Sequence, residues 1–568
     1  MNNSSGLRIA ALAACVVAGL AACGGDDDVP ALPQLGAATG AGLTSCTDLT
    51  TRLAFANTTF TAANAIAAGT LTVGGTPVPA HCQVTGRMFQ RVGTVDGQTY
   101  AIGFEMRLPN AWNGRFFYQA NGGTDGAVST AVGAVSAAGG LTNALNLGFA
   151  VISSDAGHNG AQNPTFGIDP QARLDYGYQA VAKLTPMAKA AIQTAYGKAP
   201  DRSYFGGCSN GGRHALVAAS RYPDQYDGIL AGDPGWRLPL AATANIAGYQ
   251  TYLGLASTPG DPSTGFTVAE RTLVSNAVLA KCDALDGATD GLIQDTKACQ
   301  PAFNLSRDVP TCAGARDGSC LSAAQKTEIA KLFAGATTPS GAKIYSSWPY
   351  DTGLYTSNWG ATWKFGAPPS RDAGAIAFIW QVNPEAAAGF NGTTFAATSN
   401  LDTLLAKIQA TNATYTENSL SFMLPPHPTD LSSLKSRGAK LMIYHGTADP
   451  IFSSDDSVAY IEGLRSANGG SSADFARLFL IPGMNHCGSG PSTDQFDMLT
   501  PLVNWVEQGI APNSVIANVR GAGNLGGTNA DVPATWSPSR SRPLCSYPAV
   551  ARYNGTGNLE LASSFVCQ

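Results

Sequence analysis

Residues 203–223 constrain the fold more tightly than any other stretch of the chain. Ser203-Tyr204-Phe205 reads as the end of a strand, and Gly206-Gly207-Cys208-Ser209-Asn210-Gly211-Gly212 as a tight turn. Arg213 to Tyr222 then reads as a helix stopped by Pro223. A serine at the tip of such a turn has a strained backbone, so the residues two positions to either side must be glycine to avoid collision. The helix that follows aims its N-terminal amide dipoles at the reacting oxygen. Gly-x-Ser-x-Gly by itself decides little in a chain with 65 glycines. Set between a strand and a helix, it marks Ser209 as a nucleophile.

The flanking sequence supplies the alternation that such a turn needs. From about 46 to 236, apolar strands such as Tyr100–Phe104, Arg115–Tyr118 and Phe149–Ser154 alternate with Gly-rich turns and Ala-rich helices. The same texture returns from about 431 onward, with Lys440–Tyr444 and Ala476–Ile481. This pattern predicts an α/β fold with a mostly parallel sheet covered on both faces. Between the two zones, over 237–430, the strand signal fades and four cysteines, several Trp and many Ser, Thr and Gly appear. That stretch is expected to be a lid domain inserted into the core formed by 46–236 and 431–568.

The strand Leu441–Tyr444 ends in His445-Gly446-Thr447-Ala448-Asp449, and the strand Leu478–Ile481 ends in Pro482-Gly483-Met484-Asn485-His486-Cys487. Serine, acid and histidine therefore follow one another in the order of the α/β-hydrolase fold, on loops at the carboxyl ends of strands. A serine hydroxyl hardly ionises near neutral pH, so Ser209 needs a base. His486 would take its proton, and Asp449 would fix the imidazole tautomer and stabilise the imidazolium. Of the six histidines, His445 adjoins the acid's own strand, His214 lies one turn into the nucleophile helix, and His81, His158 and His427 precede the acid. Structural roles are expected for these five. Cys208 directly precedes the nucleophile and Cys487 directly follows the base. If Ser209 and His486 meet, the two sulfurs are within bonding reach.

The N-terminus has the pattern of an export signal. Arg8 precedes the apolar run Ile9–Leu20, which is too short to span a bilayer, and Leu20-Ala21-Ala22-Cys23 places small residues before a cysteine. Residues 1–22 are expected to be a lipoprotein signal peptide, Cys23 the lipidated residue and 23–45 a flexible tether. The protein is then an exported bacterial lipoprotein of the outer membrane, periplasmic or surface-facing, touching the membrane only through its lipid. Of twelve cysteines, ten remain in the folded body, and an even number in an exported chain implies disulfides. Charged residues make up only 13%, and the net charge of −5 comes with Lys and Arg scattered singly. Both argue against nucleic-acid binding. No strand–loop–helix phosphate motif suggests a nucleotide or redox cofactor, and a monomer is expected.

Gly207-Cys208-Ser209-Asn210-Gly211-Gly212-Arg213 together with Asn485-His486-Cys487 resembles the tannase/feruloyl esterase family. The resemblance covers nearly the whole mature chain, and it implies an α/β-hydrolase core, a lid and hydrolysis of aromatic carboxylic esters. It assigns Ser209, Asp449 and His486 to catalysis, and the backbone N–H groups of Gly123 and Asn210 to the oxyanion. It also implies five bridges, Cys46–Cys82, Cys208–Cys487, Cys282–Cys299, Cys312–Cys320 and Cys545–Cys567. Asp283-Ala284-Leu285-Asp286-Gly287-Ala288-Thr289-Asp290-Gly291-Leu292 resembles the family's calcium loop. Asp283, Asp286 and Asp290 would be side-chain ligands, and Ala288 and Leu292 carbonyl ligands, of a structural Ca2+ in the lid; the plain alternative is a solvated acidic turn.

For substrate binding the resemblance points to Gly122, Phe452, Trp359, Trp363 and Arg371. Arg371 is either a clamp for a free substrate carboxylate or a surface arginine. A phenylalanine that closes over a terephthalate-type substrate in the family is replaced near Ala375, and Gly122 stands where serine occurs. The small aromatic ester expected as substrate is thus phenolic (feruloyl or galloyl) or of terephthalate type. A catalytically weak lipoprotein that binds aromatic compounds is the reading from another class.

Overall fold

The computed structural model describes residues 32–135 and 140–568. The expected leader and the Cys23 anchor lie outside the described residues. Nine strands form one sheet: β1 (Thr58–Ile66), β2 (His81–Val92), β3 (Thr99–Pro109), β4 (Arg115–Gln119), β5 (Ala150–Ser154), β6 (Arg202–Cys208), β7 (Gly228–Gly232), β8 (Lys440–Gly446) and β9 (Ala476–Ile481). Their order across the sheet is β9-β8-β7-β6-β4-β5-β3-β2-β1. Strands β4 to β9 run parallel. The mostly parallel sheet expected from the sequence is extended by β3, β2 and β1, which pair antiparallel beyond β5.

The parallel strands are buried on both faces, so their sequences are nearly continuous apolar runs. Alternate residues still divide between the faces. Phe116, Tyr118, Ile229, Ala231, Leu441 and Ile443 enter one core, while Phe117, Leu230, Met442 and Tyr444 enter the other. Six helices matter for the site: α1 (Ala180–Tyr196), α2 (Asn210–Arg221), α3 (Leu238–Leu255), α4 (Val268–Cys282), α5 (Ser454–Ala467) and α6 (Leu499–Gln508). Buried residues of α1, α2 and α5 pack in the first core and those of α6 in the second.

The chain leaves β4 for β5 on one side, then crosses back through α1 to place β6 on the other side of β4. Such a switch point opens a crevice at the carboxyl ends of the two strands, where open α/β sheets bind ligands. The loop after Gln119 and the turn after Cys208 flank that crevice.

Between Gly232, which ends β7, and Lys440, which begins β8, lies a largely helical insertion. Helix α3 is apolar around most of its circumference and is buried among insertion residues such as Ile376, Trp380, Leu404 and Phe422. Helix α4 starts in a reciprocal cap between Thr267 and Glu270 and ends at Cys282, bridged to Cys299. A run of π-helical turns covers Asn358–Gly366, Pro368–Asp372 and Ala375–Trp380. Pro368 and Pro369 cannot donate to a regular ladder, and wide turns of this kind concentrate at functional sites.

All five cysteine pairs are bonded: 46–82, 208–487, 282–299, 312–320 and 545–567. Residues 32–45 differ from the flexible tether expected of them. The Gln34 side chain donates to the Val506 carbonyl at 2.8 Å, the Thr39 amide donates to Asp201 Oδ2 at 2.8 Å, and Ala41–Gly42 pairs antiparallel with Ala111–Trp112. Partners distant in sequence satisfy this segment's polar groups and hold it on the core. No helix among the described residues is long and apolar enough to cross a membrane.

Candidate active site

Ser209 sits between β6 and α2 at φ +66, ψ −125, a conformation that costs energy and persists only where the surroundings impose it. The surroundings are backbone. A Cβ on Gly207 would lie 2.3 Å from the Ala120 carbonyl oxygen, and one on Gly211 would lie 2.5 Å from the same atom. The loop after β4 therefore presses on the turn from one side. On the other, the Ser209 amide donates to the Gly232 carbonyl at 2.9 Å.

Two neighbouring loops meet this serine. His486 Nε2 lies 2.8 Å from Ser209 Oγ, and His486 Nδ1 lies 2.7 Å from Asp449 Oδ2. Asp449 Oδ1 accepts the amides of Ile451 and Phe452 at 2.8 and 3.1 Å. Burial alone would raise the Asp449 carboxyl, but the facing His486 and hydrogen bonds from His445 and His486 outweigh it and hold the group below its ordinary value. The carboxylate is thus ionised and keeps the proton on Nδ1 of His486, leaving Nε2 free to accept from the serine. Trp363 and Phe452 pack edge-on against the imidazole, with ring centroids at 5.0 and 5.3 Å. The bridge between Cys208 and Cys487, with Cα atoms 6.1 Å apart, ties the two strand ends that carry Ser209 and His486.

A cavity of about 450 Å³ opens at the serine, walled by Gly122, Gly123, Ser209, Trp363, Arg371 and His486 among others. Gly123 has φ +64, and Gly122 has room for a side chain, since its nearest neighbours would be 3.8 Å from an added Cβ. The Arg371 guanidinium lies 5.1 Å over the Trp363 ring and pairs with the buried Asp372 at 2.6 Å. Two residues expected to face the substrate lie elsewhere. Trp359 is 2% exposed and packs inside the insertion against Phe266. The Arg271 guanidinium lies 5.6 Å over its ring. Phe452 does not line the cavity; it acts from behind, against His486.

A model of the family "Tannase and feruloyl esterase" matches residues 82–568. The chain belongs to the tannase and feruloyl esterase family. It is 38% identical over 535 residues to mono(2-hydroxyethyl) terephthalate hydrolase of Piscinibacter sakaiensis, covering 87% of this chain and 86% of that one. Identity to the probable feruloyl esterase B-1 of Neosartorya fischeri is 28% over 493 residues, covering 82% of each. Among solved structures, feruloyl esterase B of Aspergillus oryzae superposes with a TM-score of 0.73 at 24% identity, covering 92% of this chain and 99% of that one. Tannin acyl hydrolase of Aspergillus niger gives 0.66 at 21%, covering 94% and 96%. These two likenesses show the shared fold.

As a member of this family, the protein is a carboxylic ester hydrolase. Its site contains an acidic residue that neither the motifs nor the resemblance singled out. Asp233, fully buried directly after β7, accepts the Gly446 amide at 2.7 Å and the Cys487 amide at 2.6 Å, pinning the acid and histidine loops to each other. Burial pushes its carboxyl up to about 6. The polar atoms of Asp233, Asp449 and His486 lie within 4.8 Å of one another, a grouping made by the hydrogen-bonded pair Asp449–His486 and the Asp233 that pins their loops. The only sequence signal for Asp233 is an acid closing an otherwise apolar strand. His445, also fully buried, holds the acid loop, with Nε2 3.0 Å from the Phe452 carbonyl and 3.4 Å from Asp449 Oδ2.

In the insertion, the loop 283–292 curls on itself. Asp283 Oδ1 accepts the amides of Asp290 and Gly291, each at 3.0 Å. Asp286 Oδ1 accepts that of Ala288 at 2.9 Å. The Asp290 carboxylate pairs with Arg542. Asp286 Oδ2 is buried without a hydrogen-bond partner. Burial, with the charges of Asp290 and Asp283 added, raises the Asp286 carboxyl to about 7. An orphaned carboxylate oxygen amid like charges suits a hard cation, although the structure does not bring the carboxylates of Asp283, Asp286 and Asp290 within 4.8 Å of one another.

Proposed function

We propose that this esterase cleaves aromatic carboxylic esters, phenolic or of terephthalate type, through an acyl-enzyme on Ser209. The observation that carries this reading is the unbroken hydrogen-bonded line from Ser209 Oγ through His486 to Asp449 at a cavity that Trp363 helps to wall. Ser209 Oγ attacks the ester carbonyl while His486 Nε2 takes its proton. The oxyanion forms against the backbone N–H groups of Gly123 and Asn210. His486 then protonates the leaving alcohol, and the bond from carbonyl carbon to alcohol oxygen breaks. Water, deprotonated by the same nitrogen, hydrolyses the acyl-serine and releases the acid.

The substrate class is supported by the names of the relatives and by the cavity. Trp363 offers a ring to stack on the acyl group, and Arg371 beside it is the group to meet a free carboxylate. Ala375 is completely buried and has no ring to fold over a substrate, while Gly122 leaves space beside the nucleophile. Both favour a roomy acyl site over one restricted to terephthalate monoesters. The deciding experiment compares kcat/KM for methyl ferulate, methyl gallate and mono(2-hydroxyethyl) terephthalate. Turnover of at least one of these well above that of an aliphatic ester of equal size is expected, and preference for the aliphatic ester would contradict the reading.

The insertion serves in this proposal as the lid that supplies Trp363 and Arg371. Its loop would hold Ca2+ through Asp283, Asp286 and Asp290 and the Ala288 and Leu292 carbonyls, and the ion would neutralise the loop's charge. Residues 1–22 act as leader and Cys23 as lipid anchor, so Cys23→Ser should move the protein from the membrane fraction to the soluble one.

A further inference from the structure

Asn210 contributes its backbone to the start of α2, but its side chain makes a second connection that ester hydrolysis by itself does not require. Asn210 Nδ2 donates to Asp125 Oδ2 at 2.8 Å. Its Oδ1 accepts Arg213 Nε at 2.7 Å and the Tyr176 hydroxyl at 3.4 Å. Asp125 stands two residues after Gly123 on the loop that leaves β4. Its amide donates to the Gly122 carbonyl at 3.2 Å, closing a turn around Gly123, and its carbonyl accepts Asn163 Nδ2 at 3.0 Å. Its Oδ2 is also 2.9 Å from His214 Nε2. Burial and the Arg213 charge lower the His214 pKa against the raising effect of Asp125, and with Arg213 Nη2 3.1 Å from Nδ1 the Nε2–H faces Asp125. The Asp125 and His214 side chains are 2% and 5% exposed, so water does not compete for these bonds.

The loop tip needs such a hold. Gly122 and Gly123 are exposed, and Gly123 and Asp125 both have left-handed backbones, at φ +64 and +56. Upstream, Asn121 Nδ2 anchors the loop to the Ser154 carbonyl at 2.8 Å; downstream, the bond from Asp125 to Asn210 is the direct side-chain tie to the nucleophile turn.

We propose that Asp125 is a positioning residue that clasps the two halves of the oxyanion hole together through the Asn210 side chain, with His214 holding its carboxylate in place. This rests on the reading of Gly123 and Asn210 as the oxyanion donors. Preorganised donors favour the tetrahedral state over the ground state, so a loosened clasp lowers kcat and leaves ground-state binding intact.

The test compares Asp125→Ala, Asn210→Ala, the double variant and Asp125→Asn with the native chain. It measures kcat, KM, inhibition by an aryl boronic acid that forms a tetrahedral adduct on Ser209, inhibition by the corresponding free aromatic acid, and Tm. Each alanine variant should lose about 10- to 100-fold in kcat and in boronate affinity, less than the loss of a whole oxyanion donor. Affinity for the free acid should stay within about twofold. The double variant should be no worse than the poorer single one, because both cut the same bond, and Asp125→Asn should recover part of the loss. Should Asp125→Ala not fold, Asn210→Ala cuts the bond from the other side and decides alone. Unchanged boronate affinity, a parallel loss of free-acid affinity, or multiplying effects would overturn the clasp. A native chain that binds boronate no tighter than the free acid would instead overturn the oxyanion reading, and the clasp with it.

Discussion

At Ser209 the backbone stores strain that the Ala120 and Gly232 carbonyls enforce, and that strain places the hydroxyl on His486. Ser209→Ala should reduce kcat on an aromatic ester by about 10⁴-fold or more while leaving Tm within a few degrees; steady-state kinetics and a melting curve check both. Gly211→Ala should abolish activity and lower Tm, since its Cβ would meet the Ala120 carbonyl oxygen at 2.5 Å. His158 gives a pH prediction close to the oxyanion loop. Burial depresses its pKa to about 4 from 6.5 as the ring stacks on Phe166 and faces Asn163. The folded state then binds fewer protons than the unfolded one. Its stability contribution is complete above about pH 6.5 and is lost as pH falls toward 4. Tm measured across that range should fall less steeply in His158→Gln than in the native chain. That Ser209, Asp449 and His486 come into hydrogen-bond contact was legible because each lies in a local pattern and Cys208 and Cys487 flank two of them. Asp233 and Asp125 were not, because each acts by accepting hydrogens from residues far away in sequence.

Among the elements, the site depends on three strand ends held at fixed separation. The Cys208–Cys487 bridge closes a separation of 279 residues that contains the whole insertion. Cys487→Ser paired with Cys208→Ser should destabilise the chain by about 2–5 kcal/mol and lower kcat by more than it raises KM, read by chemical denaturation and kinetics. The parallel strands could be read from their apolar runs, and the nucleophile turn from its flanks. Of the antiparallel extension only β3 was legible, through Tyr100–Phe104; β1 is half exposed and rich in Thr and Ala, a texture shared with loops. Trp359 and Trp363 illustrate the same limit inside the insertion. Four residues apart, they would share a face in a regular α-helix. Here Trp359 packs in the insertion's core while Trp363 reaches the cavity, a divergence that spacing alone does not give.

For the whole molecule, the sheet carries Ser209, Asp449 and His486, and the insertion adds Trp363 and Arg371 to the cavity wall. The change of texture expected over 237–430 falls within the largely helical stretch between β7 and β8. The packing of residues 32–45 was not legible, since their partners sit near residues 111, 201 and 506. The loop 283–292 leans on the C-terminal segment through Arg540 and Arg542, so the cation proposed for it would bear on the stability of the whole fold. Removing divalent cations with a chelator should lower Tm by several degrees, and Ca2+ should restore it; Asp286→Asn should remove that response. Ester hydrolysis through acyl-Ser209 predicts a covalent intermediate, which intact-mass spectrometry can detect in the chain acid-quenched during turnover of an aromatic ester. The native chain should carry one acyl group, located on the peptide that contains Ser209. Turnover with no such adduct, or an adduct that persists in Ser209→Ala, would contradict the account.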